Sequence, residues 1–251
     1  MRLTVIGCSG SYPGPDSPAS CYLLEAEDEG RTWRVLMDLG SGALGTLHLY
    51  VDPLSIDAVV LSHLHADHCL DLCGYYVLRK YHPRGPQPQL PVYGPSDTAG
   101  RMARAYDLPE DPGMTAEFDF RAYDGVVEIG PFRVEAVPVL HPVEAYGLRV
   151  SVGDRTLAYT GDTGPSEALD RLAAGADLLL AEASFRQADD NPDAIHLTGI
   201  DGGKLAARAG VGRLVITHIP PWFDKRDLLA EAISVWDGPV ELAQRGAVYE
   251  I

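Results

Sequence analysis

A short apolar run followed by a dense cluster of imidazole and carboxylate groups dominates residues 58–71, AVVLSHLHADHCLD. An apolar, β-branched run of this length is typical of a buried strand, and loops at strand ends commonly carry chemistry. Imidazole and carboxylate are suitable ligands for Zn, Mn or Fe in the +2 state. The cluster therefore predicts a metal site just past a buried strand, the alternative being unrelated polar residues on a surface turn.

Three further candidate ligands follow other apolar runs. His141 comes after RVEAVPVL, Asp162 lies in LAYTGDTG, and His218 lies in RLVITHIP. One such residue alone is more often structural, but three in the same strand-end context predict one shared site. His48 and His82 lie in or at the ends of predicted helices, so we expect no role for them in this site.

The order HxHxDH, a later His, a later Asp and a last His resembles the motif set of the metallo-β-lactamase superfamily. The resemblance covers nearly the whole chain and implies an α/β fold, an αββα sandwich in which two sheets lie between helices. Strand and helix patterns alternate in both halves, as expected of this architecture. We therefore expect residues 1–251 to form a single metallo-β-lactamase-fold hydrolase domain.

The resemblance also implies a set of ligands for two divalent metal ions, for which we expect Zn, with Mn or Fe as alternatives. The first metal would be held by His63, His65 and His141, the second by Asp67, His68 and His218, and Asp162 would bridge them. Two such ions roughly 3.5–4 Å apart activate a shared water as hydroxide. Asp38 is implied to lie behind the ligands and orient one of them; its alternative is a helix N-cap region.

Two further segments resemble the tRNase Z branch, where a glutamate and the histidine of an HxT motif lie beside the metals. They are Glu182-Ala183-Ser184 and His196-Leu197-Thr198. This similarity points to phosphodiester chemistry, with His196 protonating the leaving oxygen and Glu182 holding the His196 ring in its donor tautomer. With Asp67, these two are the predicted catalytic residues. The alternative for Glu182 is a buried carboxylate satisfied by backbone donors.

Four longer strings, GCSGSYPGPDSPAS, LSHLHADHCLDL, YGPSDT and THIPPW, resemble the actinobacterial cyclic-nucleotide phosphodiesterases known as atypical class II enzymes. The similarity implies hydrolysis of cyclic nucleotides, cyclic AMP first, by a metal-bridged hydroxide. One alternative is a tRNase Z-like endonuclease acting on RNA 3′ ends, although only 20 residues separate His141 from Asp162, too few for a long tRNA-grasping arm. The others are a different hydrolase on the same metals, such as a lactonase, and a non-catalytic metal-binding module.

Composition limits the classes of partner and the cellular compartment that we expect for this protein. The net charge of −16 opposes binding to nucleic acid and favours a small anionic phosphodiester drawn in by metal ions. No apolar run reaches the length of a membrane span, and the N-terminus has no signal-peptide pattern. Four cysteines without CxxC spacing predict reduced thiols in the cytoplasm. The family resemblance also suggests a homodimer.

Local patterns predict two details near the cluster. A helix is expected directly after it, over LDLCGYYVLRKYH. The Ser-Asp pair in GPSDT is expected to cap the following helix, TAGRMARAYDL, because short polar side chains accept hydrogen bonds from the free N–H groups of a first turn.

Overall fold

Strands in both halves of the chain are apolar on both faces. In the computed structural model, which describes residues 1–251, Val35 and Met37 of one strand face a core between two sheets, while Leu36 between them faces a helical layer. In the other half Leu178 and Leu180 face the same central core and Leu179 faces the opposite helices. Successive side chains of a strand point to opposite faces, so these runs specify sheets that are covered on both sides.

The first sheet has seven strands in the order β14-β1-β2-β3-β4-β5-β6. Its strands are β1 (Arg2–Gly7), β2 (Cys21–Asp28), β3 (Arg31–Met37), β4 (Ala58–Val60), β5 (Leu90–Gly94), β6 (Phe118–Ala122) and β14 (Val248–Glu250). β3, β4, β5 and β6 are parallel to one another, β2 pairs antiparallel with β3, and β1 pairs antiparallel with both β2 and β14. The last strand therefore returns to the sheet in which the chain begins.

The second sheet also has seven strands, in the order β13-β12-β11-β10-β9-β8-β7. Its strands are β7 (Val126–Ile129), β8 (Phe132–Pro138), β9 (Tyr146–Val152), β10 (Arg155–Tyr159), β11 (Leu178–Glu182), β12 (Leu214–Thr217) and β13 (Val240–Leu242). β10, β11, β12 and β13 are parallel, so their carboxyl ends lie along one edge.

Helices cover the outer face of each sheet. They are α1 (Ala43–Leu47), α2 (Ala66–Cys69), α3 (Leu72–Lys80), α4 (Thr98–Ala105), α5 (Ala168–Ala173), α6 (Gly199–Ala209) and α7 (Lys225–Ile233). Side chains from α1, α3 and α4 pack on the first sheet, and those from α5, α6 and α7 pack on the second. The predicted αββα sandwich is confirmed. None of these helices is both long enough and apolar enough to cross a membrane.

Two local predictions need correction. Part of the histidine-rich cluster is itself helical, because Asp67 and His68 lie in the single turn of α2 before the expected helix begins at Leu72. Asp97 stands at the N-cap position of α4, but its side chain makes no capping hydrogen bond. It pairs instead with Arg104, whose guanidinium competes for the same carboxylate. All four cysteines are free thiols.

The N-terminus of α6, near the predicted site, is held by a reciprocal pair of capping hydrogen bonds. Thr198 Oγ1 accepts a hydrogen bond from the Asp201 N–H at 3.1 Å, and Asp201 Oδ2 accepts one from the Thr198 N–H at 3.0 Å. This reciprocal pair satisfies two of the free N–H groups at the start of α6.

Thr198→Ala is expected to lower the free energy of unfolding by about 1 kcal/mol, because the Asp201 N–H loses its acceptor. For a domain of this size the melting temperature should fall by roughly 2–4 °C, measured by circular dichroism. Thr198→Ser keeps the hydroxyl and should remain close to the parent. A serine variant as unstable as the alanine variant would show that the hydroxyl is not the source of the stability.

Candidate metal centre

The predicted ligands follow the carboxyl ends of strands from both sheets. His63 comes three residues after β4, His141 three residues after β8 and Asp162 three residues after β10, while His218 follows β12 directly. These strand ends meet at one edge of the sandwich, where residues of the 63–68 cluster lie beside them. The structure thus brings together all seven predicted ligands, which are separated by up to 155 positions in the chain.

Four of the side chains form a first group. His63, His65, His141 and Asp162 each offer one ligand atom, and these atoms all lie within 4.8 Å of one another. His65 Nδ1 is 3.0 Å from His63 Nε2 and 3.2 Å from His141 Nε2. His65 and His141 are only partly buried, so this group faces the open side of the site.

The second group consists of Asp67, His68, Asp162 and His218. His218 Nε2 is 3.0 Å from His68 Nε2 and 3.0 Å from Asp67 Oδ2. Asp162 belongs to both groups: its Oδ2 is 3.7 Å from His63 Nε2, and its Oδ1 is 3.3 Å from His68 Nε2. One carboxylate oxygen therefore faces each group, which is the placement that a bridging ligand needs.

Hydrogen bonds fix which nitrogen points inward in three of the imidazoles. The Nδ1–H of His141 donates to the Ile195 carbonyl at 3.0 Å, and the Nδ1–H of His218 donates to Ser184 Oγ at 2.8 Å. His63 Nδ1 lies 3.0 Å from Ser62 Oγ in the same way. With Nδ1–H engaged, Nε2 carries the lone pair that a metal requires.

The chemistry of these groups fits a pair of divalent cations. Burial lowers the pKa of His63 well below its ordinary value, so the ring is neutral and its lone pair is free at pH 7. Asp162 Oδ1 is buried without a hydrogen-bond partner, which is costly unless a cation satisfies it. Closely spaced imidazole and carboxylate donors suit first-row dications. The histidine and aspartate groups are compatible with a dinuclear metal site.

Asp38 lies directly behind the second group and is fully buried. Its Oδ2 accepts hydrogen bonds from His68 Nδ1–H at 2.8 Å, from the Tyr159 hydroxyl at 2.8 Å and from the Ser62 hydroxyl at 2.9 Å. Its Oδ1 accepts the Ser62 N–H at 2.7 Å. Asp38 thereby orients His68, as the sequence predicted, and is not part of a helix N-cap.

Backbone conformation at two of these positions is unfavourable for ordinary residues. Asp38 has φ 59° and His218 has φ 54°, both in the left-handed region. Such a conformation costs a non-glycine residue about 1–2 kcal/mol. Strain of this kind concentrates at functional sites, where the surrounding structure holds it in place.

A third cluster adjoins the two groups. His196 Nδ1–H donates to Glu182 Oε1 at 2.9 Å, and His196 Nδ1 is 3.9 Å from Asp162 Oδ2. Burial opposes a charge on this imidazole, but the Glu182 carboxylate outweighs burial and raises the pKa of His196 to about 9. Glu182 also accepts the N–H groups of Thr163 at 2.9 Å and Ser184 at 3.1 Å. Glu182 thus contacts His196 and also accepts backbone donors, which are the contacts expected from each of its two alternatives.

Sequence reasoning missed the residues that support the ligands from behind. Ser62, Tyr159 and Ser184 each bond to a ligand histidine or to Asp38. Ser62 and Ser184 had a weak signal, since Ser62 directly precedes the histidine-rich cluster and Ser184 belongs to the segment Glu182-Ala183-Ser184. Tyr159 gave none, because its partner Asp38 lies 121 residues away.

This fold and site define the class of protein. A family model described as "Beta-lactamase superfamily domain" matches residues 34–219, and the chain belongs to that superfamily. Protein ML1173 of Mycobacterium leprae (strain TN) is 44% identical, with all of this chain and 89% of the relative covered. The probable metallo-hydrolase YhfI of Bacillus subtilis (strain 168) is 31% identical over the full length of both chains.

Solved structures agree with this assignment. The metallo-β-lactamase fold protein YhfI from Bacillus subtilis superposes with a TM-score of 0.87, at 30% identity over 99% of both chains. The short form of human tRNase Z gives a TM-score of 0.77 at 22% identity, covering 100% of this chain and 99% of the other. A diphosphatase of the PhnP family gives 0.74 at 21% identity, covering 100% and 97%. The last two similarities show the fold alone.

Proposed function

We propose that this protein is a metal-dependent phosphodiesterase that hydrolyses cyclic nucleotides, with cyclic AMP as its substrate. The observation that carries the proposal is the His196–Glu182 pair, bonded at 2.9 Å beside two complete groups of ligands. Such a pair supplies an oriented proton donor where an alkoxide leaves, and the ligand groups supply a place for the phosphate. The name of one relative, ribonuclease Z of Shouchella clausii (strain KSM-K16), denotes cleavage of a bond to phosphorus.

The two groups of ligands would hold two dications, which we propose to be Zn, with Mn or Fe as alternatives. Such ions, when bound, supply an activated water and offset charge on the phosphate oxygens. His196 has its Nδ1–H engaged by Glu182, which leaves Nε2 as the nitrogen that is available to a substrate. From there it gives a proton to the ribose oxygen as the bond between that oxygen and phosphorus breaks. Glu182 keeps the ring in the orientation that this transfer needs.

Charge and chain length support a small substrate. With a net charge of −16 the protein repels a polyanion at long range, whereas a single phosphodiester can still reach a cationic centre. The 20 residues between His141 and Asp162 include β9 and β10, which leaves no segment long enough to grasp a tRNA there. The four strings that resemble cyclic-nucleotide enzymes favour cyclic AMP among the small phosphodiesters.

Metal-loaded protein is expected to open cyclic AMP to a nucleoside monophosphate in a reaction that a chelator abolishes. Precursor tRNA should be cut poorly or not at all under the same conditions. Chromatography of the nucleotide products and gel analysis of the tRNA measure the two rates in parallel, with a lactone as a third substrate. Turnover of the lactone without turnover of cyclic AMP or tRNA would identify the protein as a lactonase and overturn the proposed function.

The alternative is an RNA 3′-end endonuclease, which the HxT histidine and its glutamate favour. Efficient tRNA cleavage without turnover of cyclic nucleotides would establish it in place of the first proposal. Binding of two metals without turnover of any of the three substrates would instead favour a non-catalytic metal-binding module.

A further inference from the structure

A cavity of about 310 Å³ opens beside the first group of ligands. Its wall includes His65, and Leu64 and Val143 lie in the same wall. Leu64 stands between two ligands in the sequence, and Val143 comes two residues after His141. Because His65 belongs to both, the cavity adjoins the first group of ligands. Leu64, Val143 and Pro95 make much of its surface apolar.

One polar group in this wall has no partner. Arg101, on α4, is partly buried, and its guanidinium makes no ion pair and no hydrogen bond within the chain. The two carboxylates of the wall are engaged elsewhere. Glu144 Oε2 accepts the Ser96 hydroxyl at 2.7 Å, and Asp97 is paired with Arg104. In a chain with a net charge of −16, this leaves a free donor group facing the cavity.

The shape and chemistry of the cavity indicate which kind of ligand it can bind. Small-molecule sites are mostly apolar with a few polar groups that fix orientation, and 310 Å³ is large enough for a nucleobase with part of its sugar. A guanidinium only donates hydrogen bonds, and it matches acceptor atoms on the edge of a purine, such as N7. A second phosphate would be a poor occupant, because it would have to lie against apolar walls.

We propose that this cavity binds the purine base of the substrate and that Arg101 donates hydrogen bonds to acceptor atoms of the ring. The proposal rests on the proposed function, since it places the base of the same cyclic nucleotide whose phosphate the metal centre cleaves. Arg101 is then a specificity residue of the cyclic-nucleotide reaction. The base enters on the His65 side of the centre.

A competing surface lies on the His218 side. Tyr12 and Trp222 stack with ring centroids 5.4 Å apart and are 44% and 57% exposed. The N–H of Ser11, next to Tyr12, is 3.5 Å from His218 Nε2, so this pair also adjoins the site. It offers an exposed aromatic surface, whereas the cavity offers an apolar wall together with the unpaired Arg101 guanidinium.

Arg101→Met tests the proposal, because methionine keeps the apolar bulk and removes the donors. Rates are measured with cyclic AMP and with the same cyclic ribose phosphate lacking its base. We expect KM for cyclic AMP to rise about tenfold or more, in line with loss of a hydrogen bond from a charged donor. We expect kcat for cyclic AMP and KM for the abasic substrate to stay within about twofold of the parent. Arg171→Met, which removes an exposed arginine paired with Glu135 on the far helical layer, is the matched control and should change neither.

Equal losses on both substrates would overturn the proposal, since Arg101 would then act on the phosphate. No loss on either substrate would overturn it too. A melting temperature for the Arg101→Met protein shows that the fold is retained.

Equilibrium binding separates this proposal from the proposed function. Calorimetry should show AMP binding to the parent protein about tenfold or more tightly than ribose 5-phosphate, and Arg101→Met should remove this difference. This result would support the base site even if cyclic AMP were not hydrolysed. If Trp222→Ala removed the difference and Arg101→Met did not, the base would lie on the Tyr12–Trp222 pair and the cavity proposal would be wrong.

Discussion

His196→Ala is expected to lower turnover of cyclic AMP by roughly 10²–10⁴-fold, which is the usual contribution of a positioned general acid. Both metals should remain bound, because His196 Nδ1 is engaged by Glu182 and the residue is not among the seven ligands. The loss should shrink on bis(p-nitrophenyl) phosphate, since nitrophenolate leaves without a proton. Two rates, the metal content and the melting temperature, all measured on the one variant, test these expectations.

A different role for His196 would give a different combination of these four measurements. A ligand histidine would lose metal together with activity, and a structural one would lower the melting temperature and slow both substrates alike. Equal losses on both substrates with metals and stability intact would exclude the acid role. His48→Ala provides a matched control, because this histidine is exposed at the C-cap of α1 and its removal should change none of the four measurements.

Asp162→Ala is expected to lower turnover of cyclic AMP by a comparable factor, because it weakens metal binding. The parent protein, reconstituted with excess Zn or Mn, should contain two metals per chain by elemental analysis. Asp162 presents one oxygen to each group of ligands, so its loss should weaken the binding of both ions. Changes to groups that only support ligands typically cost 10–100-fold in metal affinity or activity, and loss of a shared ligand should exceed about 100-fold.

Asp38→Ala is the informative comparison. Asp38 touches His68 but none of the other ligands, so its removal should weaken chiefly the second metal and cost less activity than Asp162→Ala. It should nevertheless lower the melting temperature, because it leaves the Tyr159 hydroxyl and the Ser62 N–H without their buried acceptor. Equal losses of activity in the two variants would mean that bridging and supporting roles have been assigned to the wrong residues. One metal or none in the parent protein would rule out a dinuclear centre.

The fold could largely be predicted from sequence patterns, because strands that are buried on both faces appear as continuous apolar runs. Continuous apolar runs such as LLLA in β11 cannot be exposed, and the glycine- and proline-rich segments between the runs mark where strands end. The candidate ligands could be recognised in the sequence for the same reason. A histidine or aspartate directly after such a run stands out against its surroundings, whereas one on a helix, such as His48, does not.

What the sequence could not reveal depends on partners that are distant in the chain. Asp97 looked like a helix cap because its immediate neighbours allow it, but Arg104 takes its carboxylate. Arg101 and Arg104 lie on the same helix, and nothing local distinguishes the unpaired arginine from the paired one. The difference arises only when α4 packs beside the loops carrying His65 and Val143, which brings Arg101 to the cavity.

The distribution of the ligands between the two halves of the chain determines when metal can be captured. His68 and His218 place nitrogens 3.0 Å apart although they are 150 positions apart in the sequence. A nascent chain that has exposed only the HxHxDH segment holds four donors that belong to two different groups, so neither group is complete. Neither group of donors is therefore complete until the core between the sheets has closed, so a metal at either group would be captured after that closure. The second group also needs His218, so a pair of ions would be loaded only after synthesis has passed that residue.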